Sequence, residues 1–201
     1  FRPSQLELDF SAAADCLARL EPVSAAIAAG RPASFYLHGP EEERWSAYLR
    51  LIREARDRAR PALVLVPDIV RAEAFLRLIG ARLGLPAALV HGEVPLGRRD
   101  REWRDLRDGR TGIAVGPRSV LFAPLDRPGL VIVDDEADEA YFQAESPAYD
   151  ARTGARLKAE EAEAVLVLGA ETPRVEAYER ALAAGSLVEL RGQRNPVSAT
   201  I

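Results

Sequence analysis

The chain has 201 residues, of which 48% are hydrophobic and 29% are charged, enough to bury a sizeable core in one large domain or two small ones. Its formal net charge of -4 argues against a surface coated with basic patches for nucleic acid. The single cysteine, Cys16, excludes an internal disulfide and a cysteine-rich zinc site, and no apolar run approaches the ~18 residues that a membrane span needs.

No basic start followed by an apolar block marks a signal peptide, so a reducing cytoplasm is expected. The chain starts at Phe1 and contains no methionine, which reads as a fragment of a longer protein. Lys158 is the only lysine among many arginines, a bias that by itself points to no recognition device.

In chain order, residues 1–30 read as a lead-in helical segment, with Pro22 opening a short helix. Candidate strands follow at 34–38 (SFYLH), 62–66 (ALVLV), 87–90 (AALV), 112–115 (GIAV), 130–133 (LVIV), 164–168 (AVLVL) and 186–190 (SLVEL). Most are continuous apolar runs, as expected of parallel strands buried on both faces. Between them lie amphipathic segments. In 41–59, Trp45, Tyr48, Leu49 and Ile52 share a face at helical spacing. In 69–83, Phe75, Leu78, Ile79 and Leu83 do the same, with Asp68 as N-cap and Gly84 as stop. Residues 98–110 interleave arginines with acids and read as a solvated helix laced with salt bridges. Residues 174–184 place Val175, Tyr178 and Leu182 together, with Thr172 as N-cap. The tail from 191 to 201 has no pattern and reads as a linker.

Alternation of strand and helix predicts an α/β fold, a doubly wound and mostly parallel sheet with helices on both faces. Ligands of such folds sit beyond the carboxyl ends of the strands. After the first strand comes HGPEEERW, where a phosphate-binding loop would need several glycines, a lysine and a hydroxyl. Gly39 is there, but Pro40 donates no N–H and Glu41 to Glu43 repel phosphate. The three acids suit an ordinary helix N-terminus instead. After the fourth strand, Arg118 and Ser119 offer groups that bond phosphate well. After the fifth, LVIV runs into Asp134 and Asp135. This pair either holds a hydrated magnesium and orients a water, or simply caps the next helix. No nucleophile elbow or dinucleotide fingerprint is present, and His38 and His91 lack metal-ligand spacing.

Taken in order, VPDI, LVHGEVPLGRRDREW, GPRSVLFAP, LVIVDDEADEAYFQAESPAYDAR and GAETP resemble the first helicase lobe of the PriA family, superfamily-two DNA helicases of bacterial replication restart. The resemblance covers about residues 22–195 and implies a RecA-like lobe over 31–190 and a linker toward a missing second lobe over 191–201. The family uses ATP and magnesium, and its zinc-binding cysteines are absent from this chain. Its phosphate loop G-S-G-K-T-E is replaced here by PEEERWS, which leaves Gly39 and Arg44 as vestiges of nucleotide binding. Its D-E-E-H box is DDEA, so Asp134 and Asp135 are vestigial and no catalytic residue is expected. Its S-A-T motif is AET, with Glu171 in the middle.

The resemblance implies DNA contacts through Arg118, Ser119, Tyr141, Phe142 and Tyr149, the rings stacking on bases. It implies binding of forked or single-stranded DNA and of other primosome proteins, among them single-stranded DNA-binding protein and the replicative helicase, in a nucleoid-associated cytoplasmic protein with no membrane contact. The expectation is therefore a helicase-like lobe that does not hydrolyse ATP and needs no cofactor. Two alternatives stand beside it: an active ATP-dependent helicase lobe with a non-standard phosphate-binding loop, and an α/β interaction module unrelated to helicases.

Overall fold

A computed structural model describes residues 18–93 and 96–190. Residues 1–17, with Cys16, and the expected linker over 191–201 lie outside them.

Each candidate strand forms. Helix α1 spans Glu21–Ala29, strand β1 Ala33–His38, α2 Glu41–Asp57, β2 Ala62–Leu65, α3 Ile69–Leu83, β3 Ala88–Leu89, α4 Leu96–Arg107, β4 Ile113–Gly116 and β5 Leu130–Asp134. A short hairpin pairs β6 (Phe142–Gln143) with β7 (Tyr149–Asp150), and α5 (Ala151–Glu161), β8 (Val165–Ala170), α6 (Val175–Ala183) and β9 (Leu187–Glu189) complete the chain. Turns of 3-10 helix cover Arg118–Phe122 and Glu139–Tyr141. The main sheet has seven strands in the order β3-β4-β2-β5-β8-β1-β9, all parallel.

Alternate residues of the central strands feed two cores. Leu130 and Ile132 of β5, with Val64 of β2 and Val167 of β8, pack under α1, α2 and α3. Val131 and Val133, with Leu63, Leu65 and Leu166, pack under α4, α5 and α6. A strand covered on both faces has no polar side to show, which is why these runs are continuously apolar. On α5 the inward stripe is Ala151, Ala155 and Ala159, small residues that let the helix lie close to the sheet.

Local signals act mostly as the sequence predicts. The Asp68 side chain accepts from the Arg71 N–H at 2.8 Å, and Gly84 ends α3 in the left-handed conformation at φ 64°. Arg98 pairs with Glu102 one turn on along α4, and Arg110 pairs with Asp105. Two expectations are corrected. The N-cap of α6 is Arg174 rather than Thr172, since Pro173 sets the chain extended before the helix turns. Val175 and Leu182 point to solvent, because α6 meets the sheet through the small residues Ala177 and Ala181. Among the described residues, no helix is long and apolar enough to cross a membrane.

Candidate nucleotide and DNA sites

The carboxyl ends of β1, β5 and β8 lie side by side in the sheet, with Asp134 next to Gly169 and His38 next to Ala170. The loop after β1 is short. The Gly39 N–H donates to Ala170 O at 3.3 Å, Pro40 has no N–H, and α2 starts at Glu41 with three acids in its first turn. This is the plain helix N-terminus that the sequence suggests.

One turn into α2, the Arg44 side chain turns back into the protein. Its Nη1 donates to Gly39 O at 2.6 Å and its Nε donates to Asp134 Oδ1 at 2.8 Å. Trp45 Nε1 donates to Asp134 Oδ2 at 2.9 Å, and the Tyr48 hydroxyl donates to Oδ1 at 3.0 Å. Residues 44, 45 and 48 lie along one side of a helix, so one local element delivers three donors to one carboxylate. Asp134 is 0% exposed and Arg44 2%. Burial pulls the Arg44 guanidinium toward neutrality, but the Asp134 carboxylate outweighs it and the net shift is upward. Burial, then the same carboxylate, holds the Tyr48 hydroxyl well above its ordinary range. The backbone leaves room for this: a Cβ on Gly169 would lie 2.1 Å from the Tyr48 hydroxyl.

The next two acids are also taken. Asp135, at φ 51°, accepts from Arg71 Nη1 at 3.0 Å, and the same nitrogen lies 3.2 Å from Glu41 Oε2. Glu136 is 2% exposed and accepts from the Tyr36 hydroxyl at 3.0 Å and the Arg174 N–H at 3.2 Å. Arg152 donates to Glu136 O at 3.0 Å while it pairs with Asp150. Each of the three acids Asp134, Asp135 and Glu136 thus has partners within the protein.

Magnesium-nucleotide does not fit these residues. Magnesium takes oxygen ligands at about 2.0–2.1 Å and keeps several waters. Both Asp134 oxygens already accept protein donors, the Arg44 guanidinium already neutralises the carboxylate, and the carboxylate is closed off from solvent. The first turn of α2, next to this loop, carries three glutamates, whose charge repels a triphosphate. Among the described residues, no group of three His, Cys, Asp or Glu side chains is arranged to hold a metal ion.

The residues expected to meet DNA gather at a second place, around the hairpin of β6 and β7. Arg118 Nη1 donates to Ala140 O at 3.1 Å and its Nε to Gln143 Oε1 at 3.3 Å, so the side chain braces the segment that carries Phe142. Ser119 donates to Val90 O at 3.3 Å. Phe142 is 54% exposed, and Tyr149 is half-buried against Phe122, which is 60% exposed. Tyr141 is corrected as a stacking ring: it is wholly buried, and its hydroxyl donates to Asp134 O. Its 3-10 turn folds the ring under the strand end while the next residue points out. Sequence reasoning missed Phe122, which sits inside RSVLFAP, and it read Trp45 and Tyr48 as apolar-face residues rather than as donors.

No family model matches the chain. Among curated proteins it is 40% identical over 136 residues to replication restart protein PriA of Chlamydia pneumoniae, covering 67% of this chain and 18% of that protein. It is 32% identical over 165 residues to the Bacillus subtilis PriA, covering 82% and 20%, and 36% identical over 146 residues to the Treponema pallidum PriA, covering 72% and 22%. The chain thus spans about a fifth of the length of these relatives. Among solved structures, the Pyrococcus furiosus Hef helicase domain aligns at a TM-score of 0.59 with 14% identity, over 88% of this chain and 37% of that one. A DEAD box protein from Methanococcus jannaschii aligns at 0.56 with 15% identity, over 85% and 48%. These likenesses show the RecA-like helicase fold, and the sequence matches remove the reading as an unrelated α/β module. The chain belongs to the replication restart protein PriA family, of which it carries a RecA-like helicase domain.

Proposed function

We propose that this chain is a first helicase lobe of a cytoplasmic, bacterial replication-restart protein, that it does not hydrolyse ATP, and that it acts by binding forked or single-stranded DNA and primosome partners. It uses neither nucleotide nor metal as a cofactor. The observation that carries this reading is the burial of Asp134 beneath Arg44, Trp45 and Tyr48. A carboxylate that would hold magnesium through water is fully desolvated and neutralised by the chain's own guanidinium. Asp135 in place of the family's glutamate and Ala137 in place of its histidine point the same way. The exposed rings Phe142 and Phe122, with Tyr149 beside them, supply a surface on which unpaired bases stack.

Calorimetric titration of the chain with ATP, with and without magnesium, tests the reading. No heat at millimolar nucleotide is expected. Saturable, magnesium-dependent binding in the micromolar range would replace it with the alternative, an active lobe with a non-standard phosphate-binding loop.

A further inference from the structure

Arg44, His91, Asp134 and Glu136 are the polar or charged side chains buried among the described residues, and Arg44 is the largest fully buried side chain. Burying an ion pair carries a desolvation cost that an apolar pair of similar volume avoids. Here the cost has a specific origin. Asp134 lies at the end of a fully buried strand, next to Asp135 and Glu136, and the Coulombic field of Asp134 also reaches Glu41. Arg71 compensates Asp135 and Glu41, and among the described residues Arg44 is the cation in contact with Asp134.

The way Arg44 meets its partners is also that of a coordinated cation. One nitrogen takes a carbonyl oxygen from the loop after β1, Gly39 O, and another takes a carboxylate oxygen from the end of β5. Trp45 and Tyr48, from the same helix, donate to the same carboxylate, so that three donors in all meet its two oxygens.

We infer that Arg44 is a built-in ligand: its guanidinium occupies the cation position at the end of β5 and fastens β1, β5 and α2 in one arrangement that does not respond to nucleotide or metal. This rests on the reading of the lobe as nucleotide-free. It adds that the position is filled rather than lost, so that removing Arg44 creates a site for a free guanidinium.

The test is chemical rescue. Arg44→Ala removes the atoms that ethylguanidinium supplies, and it leaves Asp134 buried and uncompensated. The melting temperature of the variant should fall by about 10 °C. Ethylguanidinium at about 20 mM should then restore several degrees if it binds with a Kd of about 1 mM. Ethylammonium at the same concentration should restore less, since a single ammonium does not reach Gly39 O and Asp134 Oδ1 together. If Arg44→Ala does not fold alone, ethylguanidinium-dependent folding followed by circular dichroism is the same readout. Absence of a stability loss, or of rescue, would overturn the inference while leaving the calorimetric result untouched.

A second measurement uses the otherwise native protein. In Trp103→Phe, Trp45 is the only tryptophan, and its indole N–H touches the Asp134 carboxylate. Its emission should not move when magnesium is added. A shift with magnesium alone would show that metal reaches Asp134 and would overturn the built-in ligand. A shift only with magnesium-ATP, accompanied by calorimetric heat, would overturn the nucleotide-free reading as well.

Discussion

Arg44 Nε lies 2.8 Å from Asp134 Oδ1 although the two residues are 90 positions apart, and neither side chain reaches water. The pair ties the start of α2 to the end of β5. Removing one partner leaves a buried charge without its countercharge, and that costs about 3–5 kcal/mol. Arg44→Met and Asp134→Leu should therefore each destabilise by about that amount. The double variant should be clearly more stable than the sum of the two predicts, with a coupling of about 1–3 kcal/mol. Urea unfolding of the four proteins measures it, and strict additivity would show that the pair is not coupled.

Gly169 is required by space rather than by backbone conformation. A Cβ there would lie 2.1 Å from the Tyr48 hydroxyl, 3.1 Å from Arg44 Cδ and 3.2 Å from Leu37 O. Gly169→Ala should push Tyr48 off Asp134 and cost about 1–3 kcal/mol. Gly80 is the control, since it lies in α3 with nothing within 4 Å of an added Cβ. Gly80→Ala should stabilise by about 0.5–1 kcal/mol. Thermal melts of the two variants should move in opposite directions.

Asp150 begins α5, accepts from the Arg152 N–H and pairs with the Arg152 side chain at 2.7 Å. Partial burial raises its pKa, but the Arg152 hydrogen bonds outweigh this and hold it below the ordinary value. A carboxyl with a depressed folded pKa adds stability above its unfolded pKa and loses it as pH falls through the folded one. Asp150→Asn keeps the cap and removes the charge. Wild type should exceed it by about 0.5–1 kcal/mol at pH 7, allowing for solvent screening. The gap should close as pH drops below about 4. A gap that persists at pH 2 would rule out the charge as its source.

For single-stranded DNA, the exposed rings and the bracing arginine should behave differently. Phe142→Ala should lower affinity about 5- to 10-fold at every salt concentration, since stacking carries no counterion term. Arg118→Ala should also weaken binding, with a shallower salt dependence if the side chain reaches a phosphate. An unchanged slope would assign Arg118 wholly to bracing Ala140 and Gln143. Fluorescence anisotropy over a salt series separates these outcomes. Tyr141→Phe should leave DNA affinity unchanged, because that ring is inside the protein.

Sequence alone was sufficient for the architecture, because the signals for it are local. A short continuous apolar run such as LVIV, recurring between amphipathic segments, fits a strand covered on both faces, and Asp68 and Gly84 mark the ends of α3 within a few residues of themselves. That the loop after β1 carries Pro40 and three glutamates instead of several glycines and a lysine was equally legible. Tertiary structure decided what the residues beside it do. Whether Arg44 faces solvent or Asp134 depends on a strand 90 positions away, and no spacing within α2 carries that information. The same holds for Tyr141 and Phe142. They are adjacent in sequence, yet one 3-10 turn sends the first ring under β5 and the second into water. Val175 and Leu182 show the limit from the other side. Their helical spacing marks an apolar stripe, but the sheet accepts α6 through its alanines, because close approach to the strands favours small side chains over large ones.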